Sequence, residues 1–106
     1  MRTSELSGAA LDWAVAKCEG VINGDDLDIG FILERGYTPS TDWAAGGAII
    51  EREGIAVWQF DDVTWRAMGK DTVPDPIEGA TPLIAAMRCY VTSKLGDDVE
   101  LPEGLK

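Results

Sequence analysis

Between Tyr37 and Gly54 the chain reads Tyr-Thr-Pro-Ser-Thr-Asp-Trp-Ala-Ala-Gly-Gly-Ala-Ile-Ile-Glu-Arg-Glu-Gly. Within it Tyr37, Ser40, Thr41, Asp42, Trp43 and Arg52 supply two aromatic platforms, hydroxyl donors, a carboxylate and a guanidinium. Arg88, in a long apolar stretch further on, is the second guanidinium that could join them. Such a mixture suits a small polar ligand or a peptide segment, since the rings give contact area and a few polar groups orient the guest. A shared concavity holding Trp43, Arg52 and Arg88 would favour that use, and a Trp43 sealed in the core would count against it. Each residue also has a local structural use. Ser40 can cap a short helix by accepting a backbone N–H, with Pro39 setting the chain direction. Asp42 would lie two residues past that cap, where a carboxylate favours the positive end of the helix. Gly46-Gly47 breaks the helix or admits another backbone, and Ala48–Glu53 resumes it until Gly54 closes it. The expectation is a short broken helical segment over 40–53.

Catalytic chemistry is poorly supplied. The sequence contains no His, so triads and acid–base steps that need imidazole are excluded. Ser40 has no activating base, no Lys stands out as one, and no carboxylate pair is shown to converge. Neither G-x-x-x-x-G-K-[ST] nor G-x-G-x-x-G occurs, which removes the usual phosphate loops. Asp25, Asp26 and Asp28 lack EF-hand spacing. Cys18 and Cys89 belong to no C-x-x-C pair, so zinc sites of the usual spacing are excluded. No metal, no cofactor and no catalytic residue is expected, and the balance points away from an enzyme.

The totals narrow the partners. One domain over 1–106 is expected, long enough to bury a core without metal or disulfide support. Nine Lys and Arg stand against nineteen Asp and Glu, a net charge of −10 with a pI near 4.2. That charge repels phosphate backbones and anionic membranes, so no direct nucleic-acid or membrane binding is expected. It serves solubility, and it can also present an acidic surface to a basic partner. The two cysteines read as small buried hydrophobes in a reducing cytoplasm. No apolar run approaches a membrane span, and Met1–Ser7 lacks a signal-peptide core. The expected location is cytoplasmic.

Local signals place the elements that would hold the stretch. A helix over 8–19 follows from Ser7 as N-cap, Leu6 and Leu11 as a hydrophobic staple, and Gly20 at the C-terminal turn. Leu11, Ala14, Val15 and Cys18 form its buried stripe, with Trp13 pointing nearly the opposite way and expected to pack under another segment. Leu27, Ile29, Phe31 and Leu33 alternate with their neighbours after Asn23-Gly24, which predicts a strand over 27–34. Strands over 55–60 and 63–68 flank Asp61-Asp62. With those aspartates as the loop, Phe60 faces Val63 and Trp58 faces Trp65 across one side of the hairpin, as a core pair. Asp-Asp is a weak hairpin turn, so a slip of one residue would invert the faces. Gly69–Ala80 reads as a loop. Thr81, Pro82, Lys94 and Gly96 delimit a helix over 82–95, and Leu83, Ile84, Met87, Tyr90, Val91 and Leu95 give it a wide apolar face. Val99-Glu100-Leu101 would add an edge strand or fray.

Ala9–Ala16, Pro39–Ala44, Gly46-Gly47, Ile49–Gly54 and Thr81–Arg88 together resemble the NinX-like family, small proteins of unknown function from phages and bacterial prophages. The resemblance spans both ends and the middle of the chain, with departures at Ala45, Ala48 and Ala80. It implies a phage or prophage origin and a cytoplasmic setting, and it brings no activity. The expected fold is α+β: a small antiparallel sheet of about three strands with helices 8–19 and 82–95 packed on one face. Two functions are open. One is a non-enzymatic interaction module that meets a host or phage protein; the other is a small polar ligand binder or minor enzyme using Tyr37–Arg52.

Overall fold

Leu6 and Leu11 are fully buried on either side of Ser7, and helix α1 (Gly8–Glu19) begins between them. The computed structural model describes residues 1–20, 36–69, 75–102 and 105. Ser7 holds the extended backbone of an N-cap, but its hydroxyl makes no capping bond among the described residues. The staple, rather than the side-chain cap expected there, fixes the start of the helix. Gly20 ends it in the left-handed region (φ 75°), donating to Ala16 and Lys17 carbonyls. All of Leu11–Ala16 is buried, so the narrow stripe expected from spacing widens to most of the circumference. Trp13 is sealed in the core, with the Lys17 ammonium 5.4 Å from its ring centroid.

Helix α2 (Trp43–Glu53) departs from the broken segment expected over 40–53. It runs unbroken through Gly46-Gly47, and its N-cap is Asp42 rather than Ser40. The Asp42 carboxylate accepts from the Ala44 N–H at 3.0 Å, while Thr38–Asp42 forms a turn closed on the Thr38 carbonyl. Gly46 is small for packing, not for breaking the helix. A Cβ there would collide with the Pro39 carbonyl oxygen and lie 2.6 Å from Leu83 Cδ2.

The described sheet has three antiparallel strands in the order β1 (Ala56–Gln59), β2 (Trp65–Met68), β3 (Ile77–Gly79). The predicted strand over 27–34 lies outside the described residues. The third strand of the described sheet comes instead from 77–79, inside the stretch expected as a loop. The hairpin register also differs by one residue: Gln59 faces Trp65 and Trp58 faces Arg66. Asp61 accepts from the Val63 N–H at 2.9 Å, and the Phe60 and Asp61 N–H groups converge on the Thr64 carbonyl. The loop is therefore three residues, not two, and the inversion follows from the period of the strand. Trp58 and Trp65 are not a core pair. Val57, Ala67 and Ile77 share the core side, and Trp65 packs against that core too. Trp58 lies on the opposite face beside Arg66 and Glu78, 38% exposed.

Helix α3 (Pro82–Leu95) is the central element. Thr81 caps it by accepting from the Ile84 N–H at 3.1 Å, and Pro82 takes the first turn. Its packing partners are all three strands and the helices α1 and α2. A helix surrounded by other elements is buried nearly all round, and Leu83, Ala85, Ala86, Met87, Cys89, Tyr90 and Val91 are all buried. The strands, α1 and α2 each pack on α3, and α1 meets the strands chiefly through it. The tail neither joins the sheet nor frays at 97–101. Thr3 donates through its N–H to the Asp97 carbonyl and through its hydroxyl to the Gly96 carbonyl, the backbones of Arg2 and Asp98 pair as an isolated antiparallel β-bridge, and Val99 and Leu101 are buried.

Candidate functional site

The turn before α2 is held from beneath by α1. The Ser40 N–H donates to Asp12 Oδ1 at 2.9 Å, and both residues are buried, Asp12 at 3% and Ser40 at 2% exposure. Burial pushes the Asp12 carboxyl above its ordinary range, and the Ser40 N–H draws it back. The Ser40 hydroxyl is buried beside the same carboxylate. Above this anchor the chain turns outward, and Trp43 stands 59% exposed on the first turn of α2.

A shallow groove of about 210 Å³ opens beside it. Ser40, Thr41 and Trp43 form one wall, and Thr81, Pro82, Leu83 and Ile84 form the other. The groove exists because Gly46 lets α2 lie close to Leu83, which sets the first turns of α2 and α3 side by side. Its threonine hydroxyls are in local use: Thr81 caps α3, and Thr41 Oγ1 donates to the Thr38 carbonyl at 3.4 Å. The sequence could not show the second wall, since nothing local links Thr81–Ile84 to Trp43. The one local signal there is the Thr-Pro helix start, which marks a helix end and not what it faces.

The two arginines sit elsewhere. Arg52 grips Glu19 with two bonds of 2.9 and 2.6 Å, reaches Glu53 at 2.8 Å and donates to the Tyr90 hydroxyl at 3.2 Å. Tyr90 in turn donates to Glu19 at 2.5 Å. Hydrogen bonds from Arg52 hold the Glu19 carboxyl below its usual range, and burial together with Glu19 pushes the Tyr90 hydroxyl up. Lys94 adds a looser pair with Glu53 at 3.7 Å. Tyr37 is half-buried against the core, and burial, then the Glu19 and Asp12 charges, push its hydroxyl up to about 12. Arg88 donates to the Leu6 carbonyl at 2.7 Å and the Glu78 carbonyl at 2.9 Å, stapling the N-terminal segment to β3. Ser40, Thr41 and Trp43 therefore meet at one groove with Asp42 beside them in the chain. Arg52 and Arg88 bind other groups. Among the described residues no three Asp, Glu or Cys side chains gather where a metal ion could sit.

Fold and groove together define a small α+β protein that shows an indole and an aliphatic slot to its surroundings while Arg52 and Arg88 tie its elements together. The family model described as bacteriophage P22 NinX matches residues 2–94, and the chain belongs to that family. All five motifs that carry the sequence resemblance fall inside the matched span. No curated protein matches the chain. Among the described residues no helix is long and apolar enough to cross a membrane.

Proposed function

We propose that this phage-family protein is a non-enzymatic interaction module, working in the cytoplasm, that meets a host or phage protein through the Trp43 groove. The observation that carries the reading is the exposed indole beside Pro82, Leu83 and Ile84. A large exposed aromatic next to an aliphatic slot is the kind of anchor point on which protein contacts concentrate their energy. The ligand-binding reading receives less support. The groove, at about 210 Å³, falls below the roughly 300–1,000 Å³ of small-molecule sites. Arg52, the strongest polar group in the stretch, already spends its donors on Glu19, Glu53 and Tyr90. The net charge of −10 supports a protein rather than a nucleic acid or an anionic membrane as the partner.

The test is affinity capture from phage-infected cell lysate with the wild-type chain and Trp43→Ala side by side, at low and high salt. A protein retained by the wild type and lost, by about tenfold or more, with Trp43→Ala is the expected result. Retention that is equal for the two chains, or background binding alone at both salts, overturns the reading.

A further inference from the structure

We infer that the segment received by the Trp43 groove is basic and apolar: one aliphatic side chain entering the slot, with a Lys or Arg within a few residues that lies against the indole and Asp42. This deepens the interaction reading above and rests on it. The slot's size and lining set the first half. It has room for a single side chain, its far wall is Pro82, Leu83 and Ile84, and the two threonine hydroxyls at its edges already serve local bonds. The slot's exposed lining is mostly apolar, so an aliphatic guest fills it with little loss of polar hydration.

Charge sets the second half, and two effects compete. The N-terminal ends of α2 and α3 meet at the groove, and helix dipoles there favour an anion by roughly half a unit charge each. Both ends are already capped, by Asp42 and by Thr81, and Pro82 removes one of the N–H groups that would bind an anion. Asp42 brings a carboxylate on an exposed side chain, and among the described residues no cationic side chain lines the slot. Arg52, Arg66 and Lys94 are each paired with glutamates, and the chain as a whole carries a net charge of −10. A guest ammonium or guanidinium gains from the carboxylate and from the open indole face. An acidic guest meets repulsion.

The experiment is selection of a random dodecapeptide display library on the immobilised wild-type chain, after depletion on Trp43→Ala. Circular dichroism melts confirm that the exposed substitution leaves the fold intact. Expected are enriched sequences of net positive charge with an aliphatic residue within about three positions of Lys or Arg. Synthetic copies should bind Trp43→Ala about tenfold or more weakly. They should also weaken about threefold or more for Asp42→Asn, a substitution that keeps the helix cap. Enriched peptides that depend on Trp43 but are neutral or acidic, or that ignore Asp42→Asn, overturn the basic chemistry and leave the groove as a protein contact. No peptide that distinguishes the wild type from Trp43→Ala overturns both.

Discussion

Gly46 is the residue at which three separate sequence motifs touch. Its missing Cβ is the space occupied by the Pro39 carbonyl oxygen and by Leu83 Cδ2, so the turn before α2, α2 itself and the start of α3 close on one another there. Gly47, its neighbour, meets only ordinary contact, with Trp43 Cε3 at 3.6 Å from where a Cβ would lie. The pair therefore separates by substitution. Gly46→Ala forces backbone and leucine apart and should destabilise the chain by about 2 kcal/mol. Gly47→Ala should be neutral or stabilise it by up to about 1 kcal/mol, because alanine is the better helix former. Urea midpoints of the two variants check this; equal midpoints would mean that the close approach is not what Gly46 supplies.

Glu19 shows what one carboxylate does at the level of elements. It stands at the last turn of α1, accepts two bonds from Arg52 of α2 and one from Tyr90 of α3, and so ties three helices at one end. Arg52 is half exposed, and an exposed pair alone contributes little; the bond from buried Tyr90 adds to it. Glu19→Gln should lower stability by about 1–2 kcal/mol near pH 7. The dependence on pH has a definite sign. The network holds the Glu19 carboxyl below its ordinary value of 4.5, so its stabilisation is complete above pH 4.5 and is lost as the pH falls through the lowered folded-state value. The difference between wild type and Glu19→Gln should then shrink in acid. Denaturant melts of both chains from pH 7 to pH 3 measure it, and a constant or widening gap would contradict the assignment.

Across the whole molecule, nineteen acidic groups face nine basic ones. Several of the cations are held in pairs, Arg52 with Glu19 and Glu53, Arg66 with Glu78, Lys94 with Glu53, which leaves an excess of unneutralised carboxylates. Salt acts on both populations: it weakens exposed pairs worth at most about 1 kcal/mol each, and it screens the longer-range repulsion of the net charge. With so large an excess the second effect wins. Raising NaCl from about 20 to 300 mM should raise the Tm by about 2–5 °C at pH 7. A scanning-calorimetry series decides it, and a flat or falling Tm would show that the paired charges outweigh the repulsion.

Local signals made much of this legible. The bounds of α1 and α3 came out as expected from Leu6, Gly20, Thr81, Pro82 and Gly96, because caps, staples and periodic apolar residues act within a turn or two of one another. The α+β class followed from the same elements. What lay beyond reach depended on contacts far along the chain. Asp61 accepting from Val63 made a three-residue loop of what reads as a two-residue one, and that single step sent Trp58 outward and Trp65 inward. Gly46-Gly47 reads as a break, yet α2 continues because docking on Pro39 and Leu83 holds it. Strand β3 emerged from a stretch rich in turn residues, paired there by β2. Trp43 was singled out from its place in the chain, but the wall opposite it, Thr81–Ile84, belongs to a helix about forty residues away. The sequence by itself determined the charge, the absence of imidazole, the two capped helices and the family motifs, all properties of residue types and short spacings. Only the tertiary structure decided which of those residues face one another, because pairing across a sheet and docking between helices are settled by packing against distant parts of the chain.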